Sequence, residues 1–503
     1  MSARRERLRV TCPAGTIEGW HRGTHHQFLG IPYAQPPLGP RRLQPPQPIA
    51  PQGWQALAPR PASPQRAGRA LALRPVGEVS EDCLHLNITV PASPGPHPVW
   101  VWIYGGGFTN GDAQDPLHDG THLAETLGVV VVTFNYRLGL LGFPPLAEAA
   151  NLGLLDQQAA LRWVRENIAA FGGDENQITV MGESAGGMSI LAQLTLAGSE
   201  DTFQRAVVQS AATSPWLDPD AVARCHHWLS AHLGTPALLP TLQALTLPAL
   251  LQLGQDLDTA LRGTLGHGVF RPQAQAAGLG PTEEAGLAAA AHRGIPLLLG
   301  CTAHEQRLFL FPQRALTQEG ALGRLRKGLS HRRRSPCPDP RALWNAYLET
   351  LGPQPPWQTL AAAETDLYYQ VPTLERARAY GEAHRAEGAD ALWLYRFDAV
   401  SPALRGQLGA SHGLDVPFLF GTLAHPSVVR FAGADPVRQQ LAATLQQAWL
   451  AFSTGQNPGW ASWNPRRPET GHFDLAGLST HPTGADLCPL WASAPRSPHV
   501  DLP

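Results

Sequence analysis

The stretch LLDQQAALRWVRENIAAFGGDENQITVMGESAGGMS, residues 154–189, contains a helix pattern, a strand pattern and a glycine-flanked serine in succession. Apolar residues at near-helical spacing predict a helix, with Asp156 as its N-terminal cap and Gly172 and Gly173 at its end. The short apolar run at 178–181 predicts the strand that follows. A second helix pattern begins directly after Ser184, so this serine is predicted to lie in a strand-to-helix turn.

Two earlier segments predict strands in the middle of a sheet. The segments PVWVWIY (98–104) and GVVVVTF (128–134) are apolar and rich in β-branched or aromatic residues, almost without alternation. Such runs are typical of strands that are buried on both faces. A strand, a helix and another strand in this order predict a crossover between parallel strands, and therefore an α/β fold with a mostly parallel, twisted sheet flanked by helices.

The rest of the chain predicts one domain over residues 1–503. Neither an internal repeat nor a long Ser/Gly linker divides it, and residues 215–345 read mostly as helices, which predicts a largely helical insertion. The segment DPVRQQLAATLQQAWLAFSTGQNP (435–458) predicts a late helix that Asp435 caps.

Composition and charge exclude several classes of function. A net charge of -2 gives no electrostatic footprint for a nucleic acid, and the run His331–Arg334 is interpreted as a solvated loop. The N-terminus lacks the apolar run of a secretory signal, and no stretch predicts a membrane span. The cysteines contain no C-x-x-C pair, so we expect reduced thiols, no metal site and a cytoplasmic location.

The motif Gly182-Glu183-Ser184-Ala185-Gly186 has the form of a nucleophile turn, although an isolated G-x-S-x-G also occurs by chance in a glycine-rich chain. Glycines on both sides of a tight turn remove Cβ atoms that would clash there, and the following helix points free N–H groups at an adjacent oxyanion.

The triplet Gly105-Gly106-Gly107 follows a predicted strand in the same way. Its N–H groups suit an oxyanion, and its alternative is an ordinary loop. A serine also needs a base and an orienting carboxylate, which these local patterns do not identify.

The chain as a whole resembles the type-B carboxylesterase family of α/β-hydrolases, which includes cholinesterases and bacterial para-nitrobenzyl esterases. The resemblance is carried by FLGIPYAQPPLGPRRL (28–43), SEDCLHLNI (80–88), VWIYGGGF (101–108), NYRLGLLGF (135–143), NLGLLDQQAALRWVRENIAAFGGD (151–174), MGESAGGMS (181–189), FQRAVVQSA (203–211) and GASHGLDVPFLF (409–420). It implies the α/β-hydrolase fold, with helical insertions that form a cap around an active-site gorge.

By this resemblance, Ser184 is the nucleophile, His412 the general base and Glu305 the acid that orients it. The flanks of Glu305 differ from the family pattern, with His304 and Gln306 beside it. Two further acids, Asp398 and Asp415, remain alternatives from the sequence.

The resemblance also assigns residues around this triad. It implies backbone oxyanion donors at Gly106, Gly107 and Ala185, with Glu183 and Ser210 packed around the triad. The ion pairs that it implies are Arg42–Glu81 and Arg137–Asp174. It further suggests a wide acyl pocket at Gly266 and Gly268.

The function that these features predict is hydrolysis of small carboxylic esters by a serine esterase through an acyl-enzyme. Such chemistry needs no metal and no organic cofactor. Amidase or lactonase activity on the same triad and a non-catalytic, esterase-like binding protein are the alternatives. The sequence predicts no particular oligomeric state.

Overall fold

One sheet of thirteen strands organises the protein. The computed structural model describes residues 6–66, 77–213, 216–265, 268–331, 338–384, 391–466, 468–484 and 489–492. The strands are β1 (Glu6–Cys12), β2 (Gly15–His21), β3 (His25–Pro32), β4 (Trp54–Gln55), β5 (His85–Pro91), β6 (His97–Ile103), β7 (Val130–Phe134), β8 (Gly173–Glu183), β9 (Arg205–Gln209), β10 (Leu297–Thr302), β11 (Leu392–Phe397), β12 (Glu469–Asp474) and β13 (Gly477–Pro482).

The order of the strands is β1-β2-β3-β5-β7-β6-β8-β9-β10-β11-β12-β13, and β4 pairs with β2 off this path. From β7 through β6 and β8 to β12 every neighbouring pair is parallel, whereas the pairs at both ends are antiparallel. The expected parallel arrangement of β7 and β8 is present, with β6 between them. This parallel centre carries the buried strands that the sequence predicts.

Helices connect and flank these strands. The helices are α1 (Thr121–Leu127), α2 (Gly139–Gly142), α3 (Leu152–Asn167), α4 (Ala185–Gln193), α5 (Pro219–Leu233), α6 (Leu238–Ala244), α7 (Leu247–Leu265), α8 (Glu283–His292), α9 (Arg307–Leu310), α10 (Gln318–Ser330), α11 (Pro340–Leu351), α12 (Pro356–Thr365), α13 (Val371–His384), α14 (Asp415–Phe420), α15 (Val429–Ala432), α16 (Pro436–Ser453) and α17 (Pro489–Ala492). Within 215–345 the described residues are mostly helical, but strand β10 of the central sheet also lies there. Within the described ranges, no helix has the length and apolarity needed to cross a bilayer.

Helix α3 begins earlier than the sequence pattern predicts. Its first residue is Leu152, and Asn151 at the N-cap position makes no side-chain capping bond. Asp156 therefore lies inside the helix, where it is completely buried. The predicted stop is present, because Gly172 adopts a left-handed φ of 84° after a short 3-10 turn.

The buried position of Asp156 also changes the expected ion pair of Arg137. The Arg137 guanidinium donates from Nε and Nη2 to the two carboxylate oxygens of Asp156, each at 2.7 Å. Asp174, the partner expected from the resemblance, instead accepts from Gln177 Nε2 at 2.7 Å. Two parallel, charge-assisted hydrogen bonds are a strong arrangement for a guanidinium, and they offset the cost of removing both charges from water.

The other expected ion pair is present as the resemblance implies. Arg42 Nε donates to Glu81 at 2.7 Å, and Arg42 Nη1 donates to the Gln243 carbonyl at 3.0 Å. Arg42 thereby ties the N-terminal segment to helix α6. The run Arg332–Arg334, interpreted above as a solvated loop, lies outside the described residues.

Candidate active site

The glycine-flanked serine lies in a strained turn at the centre of the sheet. Strand β8 ends at Glu183 and helix α4 begins at Ala185, so Ser184 alone forms the junction. Its φ of 57° and ψ of -122° are unusual for a residue with a side chain. The Ser184 N–H donates to the Gln209 carbonyl of β9 at 2.9 Å, which helps to hold the strained residue in place.

The two flanking glycines of the motif are required by close packing. A Cβ atom on Gly186 would lie 1.9 Å from the Ile103 carbonyl oxygen, and one on Gly182 would lie 2.7 Å from the Gly186 carbonyl carbon. Both distances are far below any real contact. Helix α4 can therefore leave the sheet beside β6 only if these positions carry no side chain.

The glycine triplet after β6 lies against this turn. A Cβ atom on Gly105 would be 2.9 Å from Ser184 Cβ. Gly106 and Gly107 have φ values of 112° and 63°, the left-handed region that favours glycine. Within the described residues, the N–H groups of Gly106, Gly107 and Ala185 donate to no protein acceptor. These three predicted donors and Ser184 line one cavity.

The predicted acid and base are in direct contact, although 107 residues separate them in the chain. Glu305 follows β10 and is completely buried. One of its oxygens accepts from the Thr302 N–H at 2.7 Å and from Ser210 Oγ at 2.6 Å, while the other contacts His412 Nδ1. Three groups therefore fix this carboxylate, and the hydroxyl of Ser210 is one of them.

The second ring nitrogen of His412 contacts another carboxylate. Nε2 lies 3.0 Å from Glu183 Oε1. Within the described residues, no hydrogen bond joins His412 to Ser184 Oγ. Burial alone would lower the pKa of His412, but the charges of Glu183 and Glu305 outweigh it and raise that pKa well above its usual range. The structure thus holds the imidazole between two carboxylates in a cavity that Ser184 also lines.

Neither alternative acid contacts His412. Asp398 accepts from Arg396 Nε at 2.7 Å and lies 2.9 Å from His472 Nδ1. Asp415 accepts from Gln209 Nε2 at 2.8 Å and from the Tyr395 hydroxyl at 2.9 Å. Both carboxylates have partners of their own, which leaves Glu305 as the acid at Nδ1.

The divergent residue His304 supports the loop that carries His412. Its N–H donates to the Ala410 carbonyl at 2.8 Å, and its Nδ1 accepts from the Ala410 N–H at 3.1 Å. Burial, assisted by the positive charge of Arg307, lowers the pKa of His304 to about 4. The imidazole of His304 is therefore neutral at neutral pH when it accepts from the Ala410 N–H.

The cavity at Ser184 has a volume of about 1480 Å³ and is lined by residues that local patterns did not identify. The rings of Phe309 and Tyr369 lie 5.1 and 5.4 Å from the His412 ring, between centroids. Tyr369 belongs to a π-helical turn, a feature that is frequent at functional sites and has no simple sequence signature. Gly268 of the expected acyl pocket lines the cavity, whereas Gly266 lies outside the described residues.

The described residues hold no group of three or more His, Cys, Asp or Glu side chains arranged for a metal ion. Cys83, which lies in one of the family-like segments, is buried and unbridged, as are Cys225 and Cys301.

Comparison with known proteins agrees with this geometry. A sequence profile described as the carboxylesterase family matches residues 6–481. The para-nitrobenzyl esterase of Bacillus subtilis (strain 168) is 35% identical over 479 residues, which cover 92% of this chain and 94% of that protein. The fumonisin B1 esterase of Sphingopyxis macrogoltabida is 32% identical, covering 92% and 85% respectively.

A solved structure of a thermophilic PNB esterase superimposes with a TM-score of 0.81 at 33% identity, covering 95% of this chain and 98% of the other. The fold is therefore the α/β-hydrolase fold that the resemblance implied, and the enzyme class is that of carboxylic ester hydrolases, which act on small ester substrates. The chain belongs to the carboxylesterase family, of type B.

Proposed function

We propose that the protein is a serine carboxylesterase that cleaves esters through an acyl-enzyme, with Ser184 as nucleophile, His412 as general base and Glu305 as the acid that orients the base. The observation that carries the proposal is the contact of His412 Nδ1 with the buried Glu305 carboxylate, in a cavity that Ser184 also lines. A base whose far nitrogen is fixed by a carboxylate is the arrangement that serine activation requires.

The first step begins with a rotation of His412. In the active form His412 is neutral and keeps one proton, on Nδ1 towards Glu305, after the Nε2 proton has passed to solvent. Its Nε2 then leaves Glu183 and accepts the proton of Ser184 as Oγ attacks the ester carbonyl carbon. The negative charge that develops on the carbonyl oxygen is held by the N–H groups of Gly106, Gly107 and Ala185, which have no protein acceptor in the described structure. The tetrahedral intermediate then collapses.

The second step restores the enzyme. His412 gives its proton to the leaving alcohol, and the acyl group remains on Ser184. Water then loses a proton to the same imidazole as it attacks the acyl carbon, and His412 returns that proton to Ser184 Oγ as the carboxylic acid leaves. Each proton moves between His412 and an oxygen, so the cycle calls for neither a metal nor an organic cofactor.

We further infer that the chain is one domain over residues 1–503 with a largely helical insertion at about 215–345. A single hydrophobic cluster that contains both Ile17 and Phe473 supports this organisation. We also infer a cytoplasmic location, which the buried, unbridged thiol of Cys83 favours.

The test compares wild type, Ser184→Ala and the control Ser330→Ala on matched ester, lactone and anilide substrates. Ser330 is exposed and lies outside the cavity. We expect an initial burst of nitrophenol from nitrophenyl esters, stoichiometric labelling by a fluorophosphonate, and loss of both in Ser184→Ala alone. Activity of Ser184→Ala equal to that of wild type would overturn the proposal. Faster turnover of the lactone or anilide would reassign the substrate class.

A further inference from the structure

The cavity at Ser184 continues along one face of helix α7. Leu250, Gly254, Asp258 and Arg262 all line it, and their spacing of four residues places them on a single helical stripe. Twelve residues at a rise of 1.5 Å each give this wall a length of about 18 Å. The full cavity of about 1480 Å³ also exceeds the roughly 300–1000 Å³ of ordinary ligand pockets.

The polarity of the stripe changes along its length. Leu250 is buried, whereas Arg262 has 61% of its side chain exposed and donates from Nε to Asp258 at 2.9 Å. The part of the wall at Leu250, Leu251 and Gly254 is therefore apolar, whereas the remainder, at Gln255, Asp258, Thr259 and Arg262, is polar and ends in an ion pair at the solvent. The apolar part of the wall suits an aliphatic chain of several methylene groups better than a small acetyl group, because only the longer chain covers it.

Gly254 is connected through Leu140 to the glycine loop that carries the predicted oxyanion donors. The Phe108 carbonyl, next to Gly107, accepts from the Gly139 N–H at 2.8 Å. The residue after Gly139 is Leu140, whose Cγ would lie 3.5 Å from a Cβ atom on Gly254. The contacts of Phe108 with Gly139 and of Leu140 with Gly254 thus connect the loop at Ser184 with the centre of the α7 wall.

A glycine at position 254 is not required by the fold. Its φ is outside the left-handed region, so its backbone suits any residue, and glycine is a poor helix former in the middle of α7. The nearest atoms to a Cβ there would be Phe270 Cζ at 3.4 Å and Leu140 Cγ at 3.5 Å, which are ordinary contact distances. Because Gly254 has no side chain, the cavity is wider at this position of its wall.

Resting on the esterase function proposed above, we infer that α7 forms a subsite for an extended apolar chain of the ester substrate, and that Gly254 determines the length of chain that this subsite admits. The substrates of the enzyme are then esters with a long aliphatic chain on one side of the scissile bond. An aliphatic chain on the alcohol side of the ester and one on the acyl side would make the same apolar contacts with α7.

The experiment measures kcat/KM on two substrate series. One series is nitrophenyl esters from acetate to decanoate, and the other is acetate esters of alcohols from ethanol to decanol. The enzymes are wild type, Gly254→Ala, Gly254→Leu and the control Gly263→Leu. Gly263 lies on the same helix, is exposed, and does not line the cavity; its Cβ would meet only the flexible Lys327 amine.

We expect Gly254→Leu to lower the ratio of long-chain to acetate kcat/KM by about tenfold or more in one series, since a few methylene groups in a closed apolar wall have an effect of this size. Gly254→Ala lowers the ratio less, and Gly263→Leu leaves it unchanged. The series that responds identifies the side of the ester that α7 holds. Should Gly254→Leu not fold, Gly254→Ala supplies the test on its own.

An unchanged ratio in both series, with ethyl and nitrophenyl acetate hydrolysis intact and dependent on Ser184, would overturn the subsite and leave the esterase proposal standing. Equal rates for wild type and Ser184→Ala on every ester would instead overturn the proposed function itself.

Discussion

Replacing Arg137 by methionine should leave Asp156 as an uncompensated charge inside the protein. The side chains of Arg137 and Asp156 are 2% and 0% exposed, and two parallel hydrogen bonds of 2.7 Å join them. Removing one partner of a buried ion pair costs about 3–5 kcal/mol, because the remaining charge has lost both its counter-charge and its water. We expect Arg137→Met to lower the free energy of unfolding by this amount.

The assay is equilibrium denaturation by urea, followed by far-UV circular dichroism, with two matched controls. Arg262→Met removes an exposed pair with Asp258 and should cost only about 0.3–0.5 kcal/mol. Asp174→Asn removes the partner that the sequence resemblance suggested and should have a similarly small effect, since Asp174 makes no ion pair with Arg137 in the structure.

A double variant tests the physical reason. Arg137→Met combined with Asp156→Leu removes both charges, so it should be more stable than Arg137→Met alone, although it carries one more substitution. The reasoning is refuted if Arg137→Met unfolds at the wild-type urea concentration, or if the double variant is destabilised by the sum of the two single changes.

Three further predictions concern the site. Glu183→Gln removes one of the two charges that raise the pKa of His412. Because the base must be neutral to act, the acid limb of the pH profile of kcat/KM should move to lower pH. An acid limb that does not move would contradict the contact between Glu183 and His412. Ser210→Ala removes a 2.6 Å donor from Glu305 and should lower kcat/KM about tenfold, or about 1.4 kcal/mol, at temperatures where the variant is fully folded; wild-type kinetics would contradict this role. The pKa of His304 is lowered from 6.5 to about 4. Between these two pH values the unfolded chain binds a proton that the folded chain does not. The free energy of unfolding should therefore fall as the pH falls from 6.5 to 4, by at most about 3 kcal/mol. Denaturation at pH 7 and pH 4.5 checks this, and His304→Asn should lose less stability between the two than wild type does.

The sequence alone was sufficient for features that depend on neighbours a few residues apart. The apolar runs at β6 and β7 predicted strands that pair in the parallel centre of the sheet. The strand-to-helix turn at Ser184 was predicted from the strand pattern before it and the helix pattern after it, and the packing distances at Gly182 and Gly186 explain the flanking glycines. Asp435 caps α16 as expected, accepting from the Arg438 N–H at 3.2 Å. Such patterns are local because helix caps and tight turns are built from consecutive residues.

Only the tertiary structure decided which distant side chains meet. Asp156 read as a helix cap, but α3 begins one turn earlier and carries this carboxylate inside the protein to Arg137. The contact of Glu183 with His412 joins the last residue of β8 to a loop after β11, and no spacing in the chain encodes it. The role of Gly254 likewise depends on Leu140 and Phe270 from other elements. Packing between elements fixes these contacts, and packing is a property of the whole sheet and its helices rather than of any one segment.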